Sequence, residues 1–72
     1  MIKEKIGLTI RDLRENKKYS KEFLANISNV DRNYLTGIEN GKRNVSVEIL
    51  ERILKALDIS VTDFFKKDIF LK

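Results

Sequence analysis

The side chains with chemistry to offer gather between Lys21 and Arg43, in the stretch KEFLANISNVDRNYLTGIENGKR. The 72 residues contain no histidine and no cysteine. That removes the commonest general base and metal ligand, and with them thiolate chemistry and disulfides. The carboxylates are spread as helix-surface positions and caps, and no glycine-rich phosphate loop or GxxG motif for single-stranded RNA is present. The sequence therefore argues against an enzyme, and neither cofactor nor metal is expected. What remains is hydrogen bonding and positive charge. Arg32 suits the paired acceptors of guanine, Asn33 suits adenine, and Thr36, one turn on, suits a thymine methyl. Tyr34 has the reach to touch a phosphate or pack on a sugar. Lys21 opens a helix whose N-terminal amides also favour an anion.

These side chains need a frame, and the same stretch supplies one. Leu24 and Ala25 sit on one short helical pattern, Leu35 and Ile38 on a second, with Ser28-Asn29-Val30-Asp31 between them. Asn29 tolerates the left-handed backbone of a sharp turn, and Asp31 is a good helix N-cap. Ala25 is small where two helices cross. Gly37 is expected to serve close approach, to DNA or to another helix. The layout is a helix-turn-helix, whose second helix reads base edges in the major groove with residues near its N-terminus.

The rest of the chain reads as helices that support this pair. Ile6, Ile10 and Leu13 recur at helical spacing and predict a first helix from about Lys3 to Asn16, with Arg11, Asp12 and Glu15 off the stripe. Ser20 caps a second, about Lys21 to Ser28, with Phe23, Leu24 and Ile27 turned inward. The third runs from about Arg32 to Asn40 and ends on Gly41 as a left-handed C-cap. Ser46 caps a fourth, about Val47 to Leu57, whose Leu50, Ile53, Leu54 and Leu57 form an apolar stripe. Ser60 with Asp63 starts a fifth, from Val61 to Lys66 or beyond. With no proline in the chain, nothing in the sequence forces a break before Leu71. No strand alternation or internal repeat is visible. The expected fold is all-α: one compact five-helix domain spanning 1–72.

Charge is unevenly placed. Residues 1–44 carry ten Lys or Arg against six Asp or Glu, and residues 45–72 carry five of each, giving the net charge of +4. The basic excess lies in the half with the helix-turn-helix, as an anionic partner requires. No apolar run approaches the roughly 20 residues of a membrane span, and the charged start Met1-Ile2-Lys3-Glu4-Lys5 is not a secretory signal. A cytoplasmic location is expected.

From about Ile6 to Phe65 the sequence resembles the lambda-repressor-like (XRE) helix-turn-helix family. Five helices agree in order and spacing. Lys21 stands where that family usually has Gln, Asn29 where it has the turn Gly, and Val45 where it has Pro. The run DRNYLTGIENGKRN most resembles controller proteins of restriction–modification systems. The resemblance implies that Asn40, Lys42, Arg43 and Asn44, beyond the third helix, meet the phosphate backbone, a contact that their own chemistry suggests for Lys21 and Tyr34. It also implies a structural pair, Arg14 with Glu39, across the first and third helices. Lys17 and Lys18 are lesser candidates for the backbone.

Phe64, Phe65, Ile69, Phe70 and Leu71 crowd the last nine positions. Part of this set completes the core. The rest forms an apolar patch of the kind that marks an interface, so Ile49, Phe65, Ile69, Phe70 and Leu71 are expected at a twofold contact, with residues 61–72 contributing. The alternative is a tail that folds back on its own domain. The resulting expectation is a sequence-specific transcriptional regulator that binds a (pseudo)palindromic operator as a homodimer and controls restriction–modification genes. Its partners are double-stranded DNA, a second copy of itself and RNA polymerase, with no membrane. The alternative is an antitoxin-like or adaptor module that binds protein.

Overall fold

The computed structural model describes residues 1–71. It places α1 at Ile2–Asn16, α2 at Lys21–Ser28, α3 at Arg32–Glu39, α4 at Val47–Ala56 and α5 at Val61–Phe65, followed by a 3₁₀ turn at Asp68–Phe70. No strand occurs among the described residues.

Local chemistry sets the boundaries. The side chains of Ser20, Asp31, Ser46 and Ser60 accept hydrogen bonds from the backbone N–H groups of Phe23, Tyr34, Ile49 and Asp63. Each satisfies one of the amide donors that a helix start leaves unpaired. The first four helices also end alike. Lys18, Asn29, Gly41 and Asp58 have positive φ. The N–H of the following residue, Tyr19, Val30, Lys42 or Ile59, donates back to the carbonyl of Arg14, Ala25, Gly37 or Leu54. This is the closure of a Schellman motif. Asn29 and Gly41 are types suited to that backbone. Asp58 is a milder case of the same kind, and Lys18, not marked by type, adopts it because the same hydrogen bonds hold it there.

The helices then assemble in a fixed order of contacts. α1 lies on α3, α2 on both α3 and α4, α4 on α5, and the 3₁₀ turn returns to α1. Ile10, Leu24, Leu35, Ile38, Ile53, Leu54, Leu57 and Phe64 form the centre of the core, each 2% exposed or less. The α1–α3 contact depends on Gly7, where a Cβ would collide with the carbonyl oxygen of Ile38.

Two expectations are corrected. Phe23 and Ile27 do not point inward; both are exposed, and α2 buries Ala25 and Ser28 beside the expected Leu24. Ser28 tolerates burial because its hydroxyl donates to the Leu24 carbonyl at 2.6 Å. Phe23 packs edge-on against Tyr19, with ring centroids 4.7 Å apart. The second correction concerns the tail. The fifth helix stops at Phe65, Lys67 takes an extended backbone, and the 3₁₀ turn follows. The break lets Phe70 turn back onto Phe64 and Phe65, at centroid distances of 5.3 and 4.9 Å.

Candidate nucleic-acid interface

The α2–α3 corner is built from both ends. Asn29 turns the chain in left-handed backbone, buried Val30 plugs the corner, and Asp31 restarts the helix. α3 buries Leu35, Ile38 and Glu39. The opposite face carries Asn33, Gly37 and Asn40, flanked by Arg32 and Thr36 on one side and Tyr34 on the other.

Each candidate side chain has a definite state. The Nε of Arg32 donates to Oε2 of Glu22 at 2.9 Å, joining the starts of α3 and α2. Both side chains are more than half exposed, so the pair is open to exchange with another anion. The carboxyl of Glu22 is held below its ordinary value, first by a backbone N–H of its own residue and then by the charge of Arg32. Asn33 is exposed. Thr36 differs: its hydroxyl is shut in without a hydrogen-bond partner, so the part it shows to solvent is not the polar one. That suits an apolar contact, such as a thymine methyl, better than a hydrogen bond.

The segment after α3 is tied to it. Gly41 and Lys42 donate backbone hydrogen bonds to Ile38 and Gly37. The Tyr34 hydroxyl donates to the carbonyl of Asn44 at 2.8 Å. Half-buried Tyr34 thus spends its hydroxyl within the chain while the side chains of Lys42, Arg43 and Asn44 remain exposed. The guanidinium carbon of Arg43 lies 6.0 Å from the Tyr34 ring centroid. Lys21 is half-buried at the start of α2, Lys17 lies 6.0 Å from the Tyr19 ring, and Lys18 occupies the left-handed position after α1.

Beneath this surface runs a buried ionic link. Arg14 Nε donates to Glu39 Oε2 at 2.7 Å and its Nη2 to Oε1 at 2.9 Å, while Nη1 donates to the Tyr19 carbonyl at 2.9 Å. The fork matches the carboxylate, as arginine geometry allows. The bond to Glu39 raises the pKa of Arg14 above its ordinary value. Glu39 therefore does not present a bare negative charge below α3. Arg11 adds a contact that sequence periodicity gave no reason to expect. It reaches from α1 to donate to Asn40 Oδ1 at 3.0 Å, and it lies 3.9 Å from Glu39. Only the sequence placement of Arg11 off the apolar stripe hinted at an outward role.

The residues expected at a twofold contact divide. Ile49, Phe65, Ile69 and Phe70 are half-buried, and Leu71 is 70% exposed. Phe65 and Phe70 spend part of their surface on their own domain, and Val47 and Val61 join the exposed apolar residues. Among the described residues no cluster of acidic side chains is arranged to hold a metal ion, and no helix is long and apolar enough to cross a membrane.

The family model described as Helix-turn-helix matches residues 10–64. The chain belongs to the helix-turn-helix family. Within the family it is 42% identical over 65 residues to the control protein C.MunI of a Mycoplasma species, an alignment covering 89% of this chain and 88% of that protein. It is 40% identical over 57 residues to the HTH-type transcriptional regulator SinR of Bacillus subtilis, covering 78% of this chain and 51% of SinR. The solved restriction–modification controller protein C.Esp1396I superposes with a TM-score of 0.92 at 36% identity, over 100% of this chain and 97% of that one. The controller C.AhdI from Aeromonas hydrophila gives 0.84 at 41% identity, over 88% and 96%. A further structure of C.Esp1396I is a tetramer in complex with its natural 35 base-pair operator, and matches with a TM-score of 0.91 at 36% identity.

Proposed function

We propose that this helix-turn-helix protein is a sequence-specific, non-enzymatic transcriptional regulator that binds duplex DNA as a homodimer and controls restriction–modification genes. The observation that carries the reading is the end-to-end likeness to a controller protein bound to its operator, with a TM-score of 0.91 over 100% of this chain and 97% of that one. The geometry supports it. α3 enters the major groove, Arg32 exchanges Glu22 for a guanine edge, and Asn33 takes adenine. Thr36 offers carbon to a thymine methyl. Lys21, Asn40, Lys42, Arg43 and Asn44, with the ring of Tyr34, hold the register on the phosphates and sugars.

The dimer in this reading uses the α4–α5 side and the tail: Ile49 and Ile69, the free edges of Phe65 and Phe70, and above all Leu71. A twofold axis makes this patch face itself and sets the two α3 helices about one turn of duplex apart. RNA polymerase is the further partner such a regulator meets, in the cytoplasm. The test is selection of duplexes from a random pool at two salt concentrations. Enrichment of a palindrome supports the reading. Failure to enrich any motif, with no salt-dependent binding, would favour a protein-binding module instead.

A further inference from the structure

Gly37 occupies the middle of α3, where glycine is the poorest helix former apart from proline. It shares the exposed face with Asn33 and Asn40, at the spacing that aligns residues on one side of a helix. A Cβ built on Gly37 would lie 2.5 Å from Cγ of Arg43, 3.5 Å from its Cβ and 3.6 Å from its Cδ. The aliphatic stem of Arg43 therefore fills the space that a side chain at position 37 would take. Its guanidinium carbon reaches 6.0 Å from the Tyr34 ring centroid. Tyr34 donates its hydroxyl to the Asn44 carbonyl at 2.8 Å, and the Lys42 N–H donates to the carbonyl of Gly37 itself at 2.9 Å. These ties draw the segment after α3 back over the helix. Arg43 nonetheless remains exposed.

We infer that Gly37 is a positioning residue: its missing side chain seats Arg43 across the outer surface of α3, beside Tyr34. The inference rests on the DNA-binding reading above and adds to it. The DNA-facing surface of α3 is composite. Arg32 and Asn33 belong to the helix, and Arg43 is laid onto it from the segment that follows. A rival explanation of Gly37 is that the helix must be bare there for DNA to come close. Both explanations predict weaker binding when a methyl is added, but only the first requires Arg43 for the loss.

The test is a double-mutant cycle on Gly37→Ala and Arg43→Ala, probed with the duplex that the wild-type chain enriches from a random pool. Gly37→Ala removes a helix-weakening residue, and the displaced Arg43 stem is free to swing into solvent. Its melting temperature is expected to rise by roughly 4–8 °C. Binding should nevertheless weaken roughly 10- to 150-fold, the range for losing one hydrogen bond between charged groups. The slope of log affinity against log salt should flatten by about 0.9, as it does for Arg43→Ala. In the Arg43→Ala background, adding Gly37→Ala should change affinity by no more than about twofold. Equal losses in both backgrounds would overturn the inference in favour of bare approach to DNA. Unchanged binding by Gly37→Ala, or a lower melting temperature with the loss, would overturn it as well. If the wild-type chain enriches no duplex, it is the DNA-binding reading that fails, and the two failures are distinct.

Discussion

Removing Glu39 should damage the fold far more than removing any exposed acid. The Glu39 side chain is 0% exposed and that of Arg14 is 9% exposed. Glu39→Ala leaves the Arg14 guanidinium buried, with the Tyr19 carbonyl as its hydrogen-bond partner and only the exposed Glu15 carboxylate, 4.0 Å away, as a counter-charge. Breaking a buried ion pair from one side costs about 3–5 kcal/mol. A domain of this size is stable by only about 4–11 kcal/mol in total, so the variant should lose at least a quarter of its stability and can approach unfolding. Replacing both partners by apolar residues, Arg14→Met with Glu39→Met, should be less harmful than the single change, because no charge is left buried. Urea titrations of the three proteins measure this directly. The pKa of Arg14 is raised by its bond to Glu39, so its contribution is complete below its unfolded value and is lost only as pH rises through the higher folded one. Mild alkali should therefore leave the link intact. A Glu39→Ala loss below about 1 kcal/mol, or a double variant less stable than the single one, would refute the reasoning.

Four further outcomes follow. Arg32→Ala should cost about 1–3 kcal/mol of specific binding and relax preference at one base pair per half-site; an equal loss on random duplex would make Arg32 a phosphate contact. The same substitution should raise the Glu22 pKa towards its ordinary value in an NMR titration, though not fully, since the backbone N–H remains. In the wild type, the stability from Glu22 is present above the ordinary carboxylate range and is lost as pH falls through its lowered value. Lys18→Gly should raise the melting temperature, because Lys18 holds φ at 61°, where a non-glycine residue costs about 1–2 kcal/mol; a fall would mean the lysine side chain matters more than its backbone. For assembly, Leu71→Asp should give a folded monomer in sedimentation, whereas Phe70→Asp should also lower the melting temperature, since Phe70 packs on Phe64 and Phe65.

Features set by local chemistry were legible in the sequence. Ser20, Asp31, Ser46 and Ser60 cap helices because short oxygen-bearing side chains answer unpaired amides, and Asn29 and Gly41 mark turns because their types tolerate left-handed backbone. The stripe of α4 was plain because ten residues define its phase. α2 has only eight residues, too few for periodicity to separate Phe23 and Ile27 from Leu24 and Ala25. Burial of Ser28 depends on a hydrogen bond that hydrophobicity does not register. Lys18 carries no turn signature, and Asp58 carries a weaker one than Asn29 or Gly41. Contacts between distant parts were out of reach: nothing near Arg11 announces Asn40, and nothing near Tyr34 announces that its hydroxyl is spent on Asn44. The aromatic tail showed a surplus of apolar surface without showing how much of it Phe70 returns to its own core.

The central claim is that this surface reads sequence rather than charge alone. The most direct measurement is affinity for the enriched palindrome and for a scrambled duplex of equal composition, each across a salt series. A base-reading surface should bind the palindrome tighter by roughly 10³- to 10⁷-fold at physiological salt, with both affinities falling as salt rises. Equal affinities with equal salt slopes would contradict it, because the surface around α3 would then hold duplex by charge alone and not read bases.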